Sequence, residues 1–175
     1  MYQVMKLTVW QRLDLFSRQL TPFLLTILLI FFSSVPYEIP NLGRVMPLLS
    51  LIAIFHWGVY RAVLLPNYAV FFIGFLQDVL SGVPMGVHTL IYMLAYNLIL
   101  AQQRFFARKS FYIIWLGFAV VSAGVMLMLW GMLSIINGVF IDFVPVVSQY
   151  GIGVGLYPII SYLFSRWQQV ILQQI

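Results

Sequence analysis

Cysteine is absent from the chain, which excludes disulfides and thiolate metal sites and leaves the redox compartment unreadable from cysteine usage. Charge is scarce as well: 7% of the 175 residues are Asp, Glu, Lys or Arg, against about 25% in soluble domains. The four acids, Asp14, Glu38, Asp78 and Asp142, are scattered, and His56 and His88 are the only histidines, too few donors for a metal centre. Lys6 and Lys109, the only lysines, both flank apolar runs. No G-x-S-x-G elbow offers a serine nucleophile, and neither G-x-x-x-x-G-K nor G-x-G-x-x-G offers a phosphate loop. The net charge of +5 comes from isolated bases between apolar runs, and the 17% aromatic residues fill those runs and their edges, so a nucleic-acid platform is excluded. Neither catalysis nor a cofactor is expected.

What the chain has in abundance is apolar sequence, at 63% hydrophobic residues and a mean hydropathy of +1.01. It recurs along the whole length, which describes an integral membrane protein rather than a signal peptide ahead of a soluble domain. Residues 1–19 carry Lys6, Arg12 and Arg18 against Asp14, with Val9, Leu13, Phe16 and Leu20 in helical register. They read either as a basic amphipathic helix in the headgroup region or as an ordinary positive flank. Six spans follow: Leu20–Val35, Val45–Tyr60, Leu64–Leu80, Val87–Ala101, Phe111–Ile136 and Val146–Phe164. The second is short for a bilayer that needs roughly 20 residues. Residues 20–166 thus form one membrane domain, and 167–175 a short tail. The expected fold is all-α with six transmembrane helices.

Six spans place the amino terminus, the Arg61 loop, the 102–110 segment and the tail on one side, with eight of the nine Lys and Arg residues; only Arg44 falls on the other. Short basic loops stay cytoplasmic. Both termini are therefore expected inside, and the turn at 78–86 outside.

Gly117, Gly124, Gly131 and Gly138 recur every seven residues in the fifth run, and Gly151 and Gly155 sit four apart in the sixth, beside Gly153. Small residues let helices approach closely in lipid, so these positions read as helix packing, either within this bundle or against a partner's helix.

The stretch from Gly74 to His88, GFLQDVLSGVPMGVH, interrupts the apolar pattern. Gly74, Gln77, Asp78 and Ser81 fall on one helical face, small and polar, opposite Phe75, Leu76, Val79 and Leu80. Gly82, Pro84 and Gly86 make a turn to the next helix. Asp78 near its helix C-terminus is unfavourably placed in the helix dipole. Compensation is expected from the free N–H groups of the following helix, after Pro84, and from His88 or Tyr92. A structural cap, a proton or ligand site, and a partner contact are the three readings of Asp78. His56, inside the second span with no acid near it, reads as a neutral packing residue rather than a proton relay.

The third-to-fourth span unit, LLPNYAVFFIGFLQDVLSGVPMGVHTLIY, has a G-x-L-Q-D-x-L-S-G-x-P-x-G core. With HWGVYR ending the second span, and the segments around Arg104, Phe105 and Trp115–Phe118, it resembles the rod shape-determining protein MreD family of bacterial inner-membrane proteins. Ala62 departs from it, since relatives often have proline after the arginine. The resemblance implies a non-enzymatic scaffold of the cell-elongation machinery, associated with the bitopic protein MreC. Through MreC it would help couple cytoplasmic MreB filaments to the peptidoglycan polymerase and transpeptidase. It also implies a helix arrangement similar to the substrate-binding subunits of energy-coupling-factor transporters. From another class, the alternative is a small-molecule transporter or its substrate-binding subunit, with Asp78, His88 and Tyr92 lining an outward-facing polar pocket.

Overall fold

A computed structural model describes residues 23–31, 37–39, 43–45, 49–106 and 109–172, with side chains described except in 37–39, 43–45 and 168–172. The expected amphipathic segment 1–19 lies outside the described residues. Among the described residues the architecture is helical: α1 (23–31), α2 (Leu49–Tyr60), α3 (Asn67–Ser81), α4 (Val87–Phe106), α5 (Phe111–Asn137) and α6 (Phe143–Leu172). The one exception is a small antiparallel ribbon between α1 and α2, in which β1 (Tyr37–Ile39) pairs with β2 (Gly43–Val45) and Glu38 lies opposite Arg44.

Helices occur in all six apolar runs, with shifted ends. Hydropathy predicts the second run to be helical from Val45, but Val45 is paired with Tyr37 in the ribbon and α2 starts at Leu49. The third is predicted from Leu64; instead Ala62–Leu64 forms a 3-10 turn, and α3 begins after Pro66, whose ring disfavours helical backbone at the residue before it. The Tyr96 hydroxyl donates to the carbonyl of Leu65 and so ties this turn to α4. The sixth starts earlier than expected, at Phe143, because Pro145 fits the first helical turn, where no N–H is required.

α2 is the axis of the bundle. Every residue from Ser50 to Val59 is buried, and its 12 residues span only about 18 Å at 1.5 Å per residue. It is enclosed by the other helices, with Phe55 at the centre against the rings of Phe106, Phe118 and Tyr157 at 6.0, 5.3 and 5.8 Å. Among the described residues, α5 and the Phe143–Trp167 part of α6 are the two helices long and apolar enough to cross a membrane by length and composition alone.

These two helices share a compensated defect. Pro158 lies inside α6 and has no N–H for the carbonyl four residues earlier, that of Val154. The indole Nε1 of Trp115 on α5 donates to that same carbonyl at 3.0 Å. Trp115→Phe is therefore expected to lower stability by about 1–2 kcal/mol by stranding the Val154 carbonyl. In a Pro158→Ala background, where the backbone supplies its own N–H, the same change should cost less than half as much. A double-mutant cycle on melting in nanodiscs checks this, and equal costs in both backgrounds would refute it.

Candidate functional site

The site begins with two helix ends. α3 stops at Ser81 because Gly82 takes the left-handed conformation (φ 65°) and its N–H returns to the Asp78 carbonyl. Gly86 is also left-handed, at φ 102°, and the five-residue turn between α3 and α4 reverses the chain. The first turn of α4, whose N–H groups have no partner within their own helix, is thereby set over the side chain of Asp78.

Asp78 is completely buried, and five donors converge on its carboxylate. Oδ1 accepts the His88 backbone N–H at 2.7 Å and the His88 ring Nδ1 at 2.9 Å. Oδ2 accepts the Gly86 N–H at 2.9 Å, the Thr89 hydroxyl at 2.9 Å and the Thr89 N–H at 3.3 Å. The unfavourable position at the end of α3 is thus offset by the amino terminus of α4, where a negative charge is favoured. A carboxylate with both oxygens filled by protein donors has no lone pair free for general-base or nucleophilic work. Gly74 permits the approach: a Cβ there would lie 2.5 Å from the Thr89 Cα.

Tyr92 does not join this cluster. Ser50 on α2 donates to Gln77 Oε1 at 3.1 Å, so the Tyr92 hydroxyl is the donor to Ser50 Oγ at 2.9 Å. Gln77 Nε2 in turn donates to Ser81 Oγ at 2.9 Å. The polar face of α3 therefore divides in two, Asp78 towards α4 and Gln77 towards α2. Sequence reasoning missed Ser50 and Thr89. Thr89 had a signal, standing immediately after His88 in the motif; Ser50, 27 residues before Gln77, had none.

Beside this face lies a cleft of about 220 Å³, half open, with Gln77, Ser81, His88 and Gln149 as its polar lining and Leu129, Trp130, Leu133, Ile141 and Val146 among its apolar walls. Asp78 and Tyr92 do not line it. The three residues expected to converge on one pocket in the transporter alternative thus do not: His88 alone reaches the cleft. Pro84 is exposed in the turn, and its carbonyl accepts from the Val87 N–H at 3.4 Å.

His56 is fully buried, with Nδ1 3.1 Å from Ser161 Oγ and the rings of Trp57, Tyr60 and Phe164 around it. No cluster of three His, Cys, Asp or Glu residues able to hold a metal occurs among the described residues.

Among the described residues the seven-residue glycine series meets a neighbour within the bundle at one position. A Cβ at Gly117 would meet the Phe106 ring at 2.5 Å, but at Gly124, Gly131, Gly151, Gly153 and Gly155 nothing among the described residues lies within 4 Å. Gly138 is not in the helix at all: at φ 66° it ends α5. A seven-residue period drifts by about 20° per repeat on a straight helix, so equal spacing does not hold four positions on one contact.

The family model for the rod shape-determining protein MreD matches residues 16–137, from ahead of α1 to the end of α5, including the turn that holds Asp78. No curated protein and no solved structure matches the chain. With well over half of its length in that match, the chain belongs to the rod shape-determining protein MreD family.

Proposed function

We propose that this chain is a non-enzymatic scaffold of the bacterial cell-elongation machinery. It crosses the inner membrane six times within residues 20–166, with both termini cytoplasmic, and binds MreC. Through MreC it helps couple MreB filaments to the peptidoglycan polymerase and transpeptidase at the outer face. The observation that carries this reading is the Asp78 turn. A carboxylate saturated by five donors is a rigid joint, suited to presenting a surface and unsuited to turnover. Family membership supports the rod-shape role, and the placement of eight of nine basic residues supports the sidedness.

Purification in nanodiscs with and without MreC tests the proposal. A stable complex of fixed stoichiometry is expected. Absence of a complex in every detergent and nanodisc tried would refute the scaffold reading.

A further inference from the structure

We infer that the cleft beside His88 is an anchor site for one donor-bearing aromatic side chain, tyrosine or tryptophan, from another polypeptide; the inference rests on the scaffold reading above. His88 is only 5% exposed, and its Nδ1 is committed to Asp78 at 2.9 Å. In the neutral imidazole that bond places the ring proton on Nδ1 and leaves Nε2, on the opposite ring edge, as an acceptor without a partner among the described residues. Ser81 Oγ already accepts from Gln77, so its own proton remains to be donated. The site therefore asks for a group that gives a hydrogen bond to Nε2, while Leu129, Leu133 and Val146 ask for an apolar body. A phenol or an indole meets both demands.

Size and level point the same way. A cavity of about 150 Å³ accepts benzene, so about 220 Å³ suits a single substituted ring and is smaller than the roughly 300–1,000 Å³ of small-molecule sites. The mouth of the cleft is set by helix ends, since Ser81 closes α3, His88 opens α4, Leu133 is four residues from the end of α5 and Ile141 precedes α6, while Met126 and Leu129 extend its wall deeper along α5. In a spanning bundle this is the interfacial level, where Tyr and Trp concentrate. Among the described residues no Lys or Arg lines the cleft, so a phosphate-bearing lipid headgroup finds no cation in that lining. A polypeptide is favoured over a free ligand because the flanking turns hold out Met85 (71% exposed), Val139 (64%) and Phe140 (90%), an apolar rim that a lone ring would leave uncovered.

The test uses the full chain in nanodiscs with ¹⁵N-labelled histidine, titrated with p-cresol, indole and toluene. Saturable shifts at His88 Nε2, absent at His56, are expected for p-cresol and indole, with toluene at least tenfold weaker. Val146→Trp, which fills the cleft from α6, should weaken p-cresol at least tenfold, and Leu133→Trp serves if the first variant does not fold. No saturable shift, or toluene equal to p-cresol, would overturn the inference, the second by reducing it to apolar partition. In cells, a photo-crosslinking residue at position 133 should join a Tyr or Trp of a membrane polypeptide, mapped by mass spectrometry, and one at the exposed Leu116 should not. Adducts at 133 with lipid alone would also overturn it. If MreC binds wild type and filled variant equally and no probe shifts His88, the cleft inference fails and the scaffold reading stands; if probes bind but no complex forms, only the scaffold reading fails.

Discussion

Gly74→Ala is expected to destabilise the bundle by about 3 kcal/mol, more than a single methyl group costs at most membrane-protein positions. The added carbon would sit 2.5 Å from the Cα, and 2.9 Å from the N, of Thr89, and 3.3 Å from the carbonyl carbon of His88. All three are backbone atoms, which no rotamer change can move aside. α3 and α4 would have to separate at the level where Thr89 holds Asp78 through both its N–H and its hydroxyl. The steric cost and the loss of those bonds therefore fall together. Reversible unfolding in bicelles or nanodiscs measures the difference. Gly124→Ala is the internal control, because nothing among the described residues stands within 4 Å of its added carbon, and its effect should stay within about 0.5 kcal/mol. Equal melting of Gly74→Ala and wild type would show that the two helices do not touch there.

Substitution of Asp78 is expected to be as damaging, and the order of its variants is informative. Asp78→Ala strands three backbone N–H groups, the Thr89 hydroxyl and the His88 ring, at a cost of about 3–5 kcal/mol. That exceeds the roughly 1–3 kcal/mol expected for a helix end with one donor unpaired. Asp78→Asn should cost less, about 2–3 kcal/mol, for a specific reason. With its oxygen in the Oδ2 position the amide keeps Gly86 and Thr89, and turns its NH₂ towards His88. The imidazole ring can change tautomer and accept, but the His88 backbone N–H at 2.7 Å cannot, so one donor faces another. The order Ala worse than Asn worse than wild type, read from unfolding midpoints, is the expected result. Asn indistinguishable from wild type would mean that the charge is irrelevant and the turn is held by shape alone. A variant that still melts as wild type yet no longer binds MreC would move Asp78 from joint to contact surface.

Both predictions concern a stretch that is conspicuous in the sequence itself. Asp78 stands out because acids are so few, Gly74, Gln77 and Ser81 because they share its helical face, and Gly82, Pro84 and Gly86 because together they spell a turn. The compensation by helix-terminus N–H groups follows from the dipole alone. The division of that face is not legible there. Gln77 and Asp78 are adjacent in sequence, yet one reaches Ser50 on α2 and the other three residues at the start of α4. Only the position of a third helix separates these partners, and local periodicity carries no information about it. Tyr92 illustrates the limit: it lies one turn after His88, near enough in sequence to reach Asp78, but its hydroxyl is committed to Ser50.

The glycines show a second limit of local pattern. A regular spacing of seven is an attractive sign of close packing, but a packing contact needs a second surface as well as a smooth first one. Gly117 has such a surface in the Phe106 ring and Gly124 has none among the described residues. By contrast, Gly74 and Gly58, which belong to no series, do face neighbours: Thr89 at 2.5 Å and Ile99 at 3.0 Å.

Composition and order of residues by themselves determined that this chain is apolar throughout, that it is helical in six runs, that it has no thiol, and that the Asp78 turn joins two helix ends. Those are properties of short stretches and of counts, and they follow from side-chain hydropathy, backbone freedom at glycine and proline, and the helix dipole. The tertiary structure alone decided that the short α2 is the enclosed axis, that Trp115 serves the carbonyl left open by Pro158, and that His88, not Asp78, looks into a cleft. Each of these depends on which residues from distant segments come within hydrogen-bond or contact distance. That is set by the simultaneous packing of all the helices, and no single stretch of sequence contains it.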